Sequence, residues 1–182
     1  MDDRSPDVSS LAEGASALLS ATGNSDCRRR LLDALGHVDL ETAVLLVATS
    51  DADELVTGLR RRGVAPEAIG VVDASPTDSA PSGVAETDSV VGAESLSAVG
   101  VATSDLVERL SHRYDHVVVG LDSTTPLLAA TTLPATFRFL HVLGGRVKAS
   151  DGALIATFDR SAHDEETRRT ISQLFDETVT VA

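Results

Sequence analysis

The residues best suited to chemistry lie in two polar segments, each of which directly follows an apolar run. Asp122 and Ser123 follow the run from His116 to Leu121, and the segment Ala21 to Arg28 follows the run from Ala15 to Ser20. A carboxylate at the end of a buried strand can hold magnesium, and a turn between a strand and a helix can hold phosphate. The chemistry that these segments suggest is nucleotide binding and phosphoryl transfer.

The segment Ala21 to Arg28 lacks most of the groups that hold phosphate. A phosphate-binding loop uses several glycines, a lysine for the β- and γ-phosphates, and a serine or threonine for magnesium. Here Gly23 is the single glycine, Cys27 stands at the lysine position and Arg28 at the hydroxyl position. The one lysine of the chain, Lys148, lies in a different segment. We therefore interpret the two segments as the remnant of a nucleotide site, made of Ala21, Gly23, Cys27, Arg28, Asp122 and Ser123.

Several of these residues also have ordinary structural roles open to them. Asp122 can cap a turn while Ser123 bonds to the backbone. Cys27, at the start of a predicted helix, could carry a thiol of lowered pKa or be a half-buried, unreactive cysteine. His163 and Asp164 could belong to a metal site, but acidic residues also favour the first turn of a helix. We predict no metal site and no cofactor.

Arg28, Arg29 and Arg30 form the densest basic cluster of the chain. They lie at the start of a predicted helix from Cys27 to Leu35, where the helix dipole disfavours cations. Because the planar fork of arginine suits carboxylates, we interpret the cluster as a surface for an acidic protein partner or for self-assembly. A solvated face without a partner is the alternative.

The elements that must position these residues follow from hydrophobic periodicity. Apolar runs predict six short strands, most of them without polar alternation, at Ala15–Ser20, Ala43–Ala48, Ala68–Asp73, His116–Leu121, Ala153–Phe158 and Thr178–Val181. Helical patterns lie between them, at Cys27–Leu35, from a cap at Ser50 to Arg62, and at Ser104–His112, Thr136–Val147 and His163–Phe175. Strands that are apolar throughout are buried on both faces, which predicts a three-layer α/β domain with a mostly parallel sheet between helices.

The length of 182 residues is that of one domain. We place this domain at residues 14–182, with a flexible tail over residues 1–13 and a polar loop over residues 75–89. The longest apolar runs are about six residues, against the ~20 that span a bilayer, and the first residues lack a signal-peptide pattern. A single cysteine excludes a disulfide framework. We expect a cytoplasmic protein that does not bind membranes.

The charge of the chain is strongly acidic. It has 28 acidic and 15 basic residues, a formal net charge of −13 at pH 7, and Lys148 is the only basic residue that is not arginine. In molar salt the Debye length falls to ~3 Å, so repulsion between such charges is screened. The composition predicts a halophilic protein from cells that accumulate salt. It also argues against nucleic-acid binding, which needs a basic surface.

The segment His-Val-Val-Val-Gly-Leu-Asp-Ser-Thr-Thr-Pro-Leu-Leu at residues 116–128, preceded by a degenerate loop, resembles the core of RecA-superfamily ATPases of the KaiC type. Residues 137–141, 163–167 and 174–176 resemble a haloarchaeal group of RecA-like proteins that have lost the phosphate loop. The resemblance covers residues 14–182 and implies a RecA-like core without that loop. Of the ATPase residues, it carries over only Asp122 and Ser123.

These observations lead to two hypotheses about function. The first is a non-catalytic RecA-like or KaiC-like domain that acts as a regulatory or protein-interaction module in signalling and does not bind nucleotide. The alternative is a residual nucleotide-binding protein or weak ATPase, in which Asp122 holds magnesium and arginine replaces the missing lysine, since guanidinium groups bind phosphate well.

The acidic composition predicts that the folded state depends on salt. Close carboxylates repel one another at low ionic strength, and the few cations do not offset them. The midpoint of thermal unfolding should be several degrees higher in molar potassium chloride than in dilute buffer, as measured by circular dichroism. Equal midpoints in the two solutions would show that the halophilic interpretation is wrong.

Overall fold

The apolar runs of the chain form the strands of one sheet. The structure is a computed structural model that describes residues 14–76, 81–90 and 92–180. Within these ranges the strands are β1 (Ser16–Ala21), β2 (Thr42–Ala48), β3 (Ile69–Asp73), β4 (Glu86–Ser89), β5 (His116–Asp122), β6 (Ala153–Asp159) and β7 (Glu177–Thr180). Every residue of β2, β3 and β6 is buried, as expected for strands that are covered on both faces.

All neighbouring strands run parallel. Their order across the sheet is β4-β3-β2-β5-β6-β1-β7, so the first strand of the chain lies between the last two. The predicted α/β domain with a mostly parallel sheet is confirmed. Because all strands point the same way, their carboxyl ends meet at one edge of the sheet and their amino ends at the other.

Helices cover both faces of the sheet. Over the described residues they are α1 (Asn24–Leu35), α2 (Ala52–Arg61), α3 (Leu96–Ser111), α4 (Thr124–Ala130), α5 (Leu133–Ala149) and α6 (Glu165–Ser172). Leu31 of α1 and Leu55 of α2 belong to the core on one face. Leu106 of α3, Leu140 of α5 and Ile171 of α6 belong to the core on the other, so the predicted three layers are present.

Three expectations about elements are wrong, and polar or small residues explain each. The predicted polar loop over residues 75–89 ends in a strand, β4, whose Glu-Thr-Asp-Ser sequence is exposed at the edge of the sheet. The predicted strand His116–Leu121 extends to Asp122, and the polar residues after it cap and begin a helix, α4, that the prediction lacks. Helix α3 begins at Leu96, eight residues before the predicted Ser104. Its start was missed because its first turns consist mainly of small residues.

Helix starts also differ from the prediction. Asp51, rather than Ser50, caps α2 by accepting a hydrogen bond from the Glu54 N–H at 3.0 Å. Helix α1 begins at Asn24, three residues before the predicted start at Cys27. The three arginines therefore lie in the second turn of α1, where the helix dipole opposes them less than at its first turn.

Two phenylalanines, Phe139 and Phe158, are buried in the core, and Phe137 is half-buried. The predicted tail over residues 1–13 and Val181 of the last predicted strand lie outside the described residues. Across the part of the chain that the structure describes, each helix is too short or too polar to cross a membrane.

Candidate functional site

The carboxyl edge of the sheet carries a row of buried aspartates. Strands β3, β5 and β6 each end on one, at Asp73, Asp122 and Asp159, which are 3%, 4% and 7% exposed. Asp73 and Asp122 flank Ala48 of β2 in the strand register, and Asp159 lies beside Ala21 of β1. Buried carboxylates need donors or cations nearby, so the partners of these three define the site.

Asp122 is held by Arg28. The Nε of Arg28 donates to Oδ2 of Asp122 at 3.1 Å, and the rest of its guanidinium binds Glu54 and the hydroxyl of Ser50. Burial raises the pKa of the Asp122 carboxyl, and the Arg28 guanidinium lowers it again only in part. Arg28 is thereby fully engaged within the chain, because its three partners come from β5, α2 and the turn before α2.

Thr49 fixes the backbone at the end of β5. Its hydroxyl donates to the Asp122 carbonyl at 2.7 Å and accepts from the Ser123 N–H at 2.8 Å. The peptide bond between Asp122 and Ser123 is cis. The Ser123 hydroxyl accepts from the Thr125 N–H at 3.1 Å as the cap of α4, so Ser123 makes the predicted bond to the backbone and is itself the cap, in place of Asp122.

Asp159 closes the turn between β1 and α1. Its Oδ1 accepts hydrogen bonds from the Gly23 N–H at 3.0 Å, from the Ser161 N–H at 2.9 Å and from the Ser161 hydroxyl. Gly23 has φ of 87°, which favours glycine. Burial alone would raise the pKa of Asp159, but the hydrogen bonds from Ser161 and Gly23 leave it lowered. The amide that a phosphate loop would offer to a ligand is taken by an internal carboxylate.

Cys27 lies beneath this turn and is fully buried. Burial is the main reason that the pKa of its thiol rises to about 11, and the nearby carboxylates of Asp159 and Asp122 add to the effect. A thiol with that pKa is almost entirely protonated at neutral pH. Burial and the raised pKa favour an unreactive thiol over one of lowered pKa, and Cys27 is fully buried rather than half-buried as predicted.

The three consecutive arginines have three different environments. Arg28 points inward to Asp122, and its side chain is 18% exposed. Arg29 pairs with Asp26 at 2.9 Å, and its side chain is 52% exposed. Arg30 is 8% exposed and lies within the fold. The predicted basic cluster therefore offers one well-exposed cation, Arg29, to a partner.

A recess between α1 and α2 lies beside these arginines. It has a volume of about 280 Å³ and is lined by the side chains of Asn24, Ser25, Arg28, Arg29, Leu32, Glu54 and Arg62. Each of the three guanidinium groups that line it already pairs with a carboxylate of the chain: Arg28 with Asp122 and Glu54, Arg29 with Asp26, and Arg62 with Asp33. The recess is therefore lined by ion pairs, and Arg29 is the most exposed of its three arginines.

The segment around His163 starts a helix. Asp164 accepts from the Thr167 N–H at 2.8 Å as the cap of α6, so the predicted helix is present but begins after Asp164 rather than at His163. The His163 ring packs on Phe158 with a centroid distance of 5.0 Å, and burial lowers the pKa of His163. The described residues contain no group of three or more side chains that could hold a metal ion.

The structure brings most of the predicted site residues together. Arg28 contacts Asp122, and Cys27 lies near Asp122 and the backbone of Ala21, while Gly23 binds Asp159 instead. The sequence reasoning missed Asp159, Thr49 and Ser161. Asp159 could have been found, because it directly follows the apolar run that ends at Phe158, as Asp122 follows Leu121. The role of Thr49 depends on pairing between distant strands and leaves no local pattern.

At this edge Asp122 and Asp159 bind donors of the same chain. Oδ1 of Asp73 accepts from the Ser75 N–H at 2.9 Å, while its buried Oδ2 has no hydrogen-bond partner among the described residues. Within the described ranges the molecule is an α/β protein with a seven-stranded parallel sheet and six flanking helices. It belongs to the family described as "Family of unknown function (DUF7504)", which matches residues 14–181.

A solved structure shares this fold. It is a protein from Pyrococcus horikoshii OT3, with a TM-score of 0.60 and 12% sequence identity over 94% of this chain and 84% of that one. At this identity the likeness concerns the fold alone. No curated protein matches the sequence.

The opposite pKa shifts of Asp122 and Asp159 predict opposite responses to pH. The pKa of Asp122 is raised in the folded state, so the folded protein loses this proton at a higher pH than the unfolded chain does. The free energy of unfolding of the wild type, taken relative to that of Asp122→Asn, should therefore fall as pH rises between those two pKa values. The stability relative to Asp159→Asn should instead rise with pH, because folding favours the charged form of Asp159. Chemical denaturation of the three proteins from about pH 3 to pH 7 in constant molar salt checks this. Parallel trends for the two variants would contradict the geometry described above.

Proposed function

We propose that the chain is a non-catalytic RecA-like domain of the KaiC type that acts as a protein-interaction or regulatory module in signalling and does not use nucleotide. The observation that carries the proposal is the hydrogen bond from the Gly23 N–H to Asp159 at 3.0 Å. It fills the turn between β1 and α1 with a carboxylate, at the place where a phosphate loop would bind an anion.

The cation nearest to that turn supports the same reading. Arg28 is the residue that could replace a missing lysine, but its guanidinium is bound to Asp122, Glu54 and Ser50. A triphosphate would have to displace these partners, and it would then face the negative charges of Asp122 and Asp159. Electrostatic stabilisation of a transferring phosphoryl group needs cations that are free to reach it.

The RecA-like part of the proposal is supported by the order of elements around the site. The first strand leads through a short turn into α1, and the buried strand β5 ends in Asp122 and Ser123 at the same edge. That order, together with the sequence of residues 116–128, is what the resemblance to KaiC-type ATPases implies.

The residual nucleotide-binding protein is the rival function. It would use Asp122 for magnesium and Arg28 for phosphate. The ion pair between these two residues at 3.1 Å works against both roles at once, since each neutralises the other. Breaking the pair to admit a ligand would leave a buried carboxylate without its cation, which is costly.

We place the protein partner at the recess between α1 and α2. Of the arginines that line the recess, Arg29 has the most exposed side chain, and the fork of a guanidinium binds a carboxylate in two places. The other proteins of a salt-accumulating cell would offer acidic surfaces of this kind. We propose that a partner places a carboxylate side chain in this recess.

The proposal predicts that ATP binds more weakly than a Kd of about 100 μM, because the turn and the cation are both occupied. Calorimetric titration with ATP and magnesium in molar potassium chloride measures this, with a salt-tolerant ATPase as the positive control. Tighter binding that depends on magnesium and disappears in Asp122→Asn would establish the rival function.

Replacing Arg29 should weaken the proposed interaction without unfolding the chain. We expect Arg29→Ser, used as immobilised bait in lysate at native salt, to lose a set of proteins that the wild type retains, as identified by mass spectrometry. Arg138→Ser is the matched control, because Arg138 is also exposed but lies on α5, on the other face of the sheet. Identical captured proteins for Arg29→Ser and the wild type would rule out the recess as the docking site.

A further inference from the structure

Three large apolar side chains are exposed in the described part of the chain. They are Leu40, Val101 and Val142, at 93%, 55% and 45% exposure. Val101 lies on α3 and Val142 on α5, two helices that pack against each other. Leu40 lies in the loop between α1 and β2. Single exposed apolar residues are common, so an exposed leucine indicates an interface only where a complementary surface exists.

Leu40 is presented by a built turn. Oδ1 of Asp39 accepts from the Glu41 N–H at 3.1 Å and from the Thr42 hydroxyl at 2.7 Å. The next residues enter β2, which anchors the turn to the centre of the sheet. The leucine is therefore held outward between Asp39 and Glu41 as an apolar knob with acidic flanks.

A groove of about 490 Å³ lies between α3 and α5. Its floor includes the apolar side chains of Val107, Leu143 and Val147. Arg146 lines one side, where its Nη1 donates to the Ser104 hydroxyl at 3.0 Å. The volume exceeds what one leucine side chain fills, and the apolar floor suits such a side chain.

The charge around the groove suits the flanks of the knob. Residues 123–150, which contain α4 and α5, include no aspartate or glutamate in a chain that has 28 acidic residues. Arg146 makes no ion pair with any other described residue and forms the basic side of α5 towards the groove, whereas Lys148 of the same helix lies beside Gly14 and lines a different recess. Glu108 and Asp151 also line the groove, so the favourable contact for Asp39 and Glu41 is Arg146.

The knob and the groove lie at the same edge of the sheet. Leu40 comes two residues before β2, and the groove residues Ala149 and Asp151 come just before β6, so both lie where strands begin. Two copies related by a two-fold axis can therefore insert each knob into the groove of the other copy at once. Such a reciprocal contact closes on itself and gives a dimer rather than a filament.

We propose that the chain forms a two-fold dimer in which Leu40 of each copy occupies the α3–α5 groove of the other, with Asp39 and Glu41 against the basic side of α5. The dimer goes beyond the proposed function, since it uses the amino edge of the sheet, opposite to the site of the three aspartates. It accounts for an exposed leucine and for a helix without acidic residues through one contact.

Sedimentation velocity in molar potassium chloride tests the proposal, because it reports mass directly over a wide range of concentration. The wild type should be a dimer. Leu40→Glu should be monomeric or dissociate at least tenfold more readily, and it should still fold because the side chain is exposed. Ala149→Glu, which places a carboxylate in the groove, should have the same effect. Ala129→Glu makes the same change at an exposed position of α4 and should leave the dimer intact.

Mixing Leu40→Glu with Ala149→Glu adds a sharper test. The mixed pair retains one intact knob and one intact groove that face each other, so the mixture should associate more strongly than either variant alone. A monomeric wild type, or a dimer that Leu40→Glu leaves unchanged, would overturn the proposal. Neither result bears on nucleotide binding or on the recess at Arg29, so failure here is separate from failure of the proposed function.

Discussion

A parallel sheet that is buried on both faces confines its polar chemistry to the two edges. Side chains within β2, β3 and β6 are surrounded by apolar residues of flanking helices, so charged groups can occur only where the strands end. In this chain three strands end in aspartate. The need to satisfy such carboxylates determines where Arg28 and Gly23 direct their donors, and hence how α1 joins the sheet.

The hydrogen bonds of Asp159 and Asp122 leave neither the turn between β1 and α1 nor the Arg28 guanidinium open to an external anion. An anion-binding turn offers backbone amides and a nearby cation to whatever negative group is present. In this protein Asp159 supplies that group for the turn, and Asp122 supplies it for Arg28. The turn and the cation are therefore both bound by carboxylates of the protein itself.

Sequence patterns predicted the strands that contain apolar runs and missed two elements, β4 and α4, that lack a buried apolar run. The apolar runs at β2 and β6 can only be strands, whereas β4 consists of polar residues that are held by backbone hydrogen bonds to β3 and by ion pairs of Glu86 with arginines in and just after α3. Helix α4 was missed because it has seven residues, includes Pro126, and buries only Leu127 among its apolar side chains. Asp122 and Arg28 were found as candidates, but their ion pair joins residues 94 positions apart, and no local pattern encodes such a contact.

The position of β1 has a consequence for how the protein is made. Among the described strands β1 is synthesised first, and both of its neighbours in the sheet, β6 and β7, are synthesised last. The hydrogen bond from the Ser16 N–H to Asp176 spans 160 residues. Until those partners are synthesised, both sides of β1 present unpaired backbone groups, which is a condition that favours aggregation. The sheet can therefore be completed at β1 only after nearly all of the described residues have been synthesised.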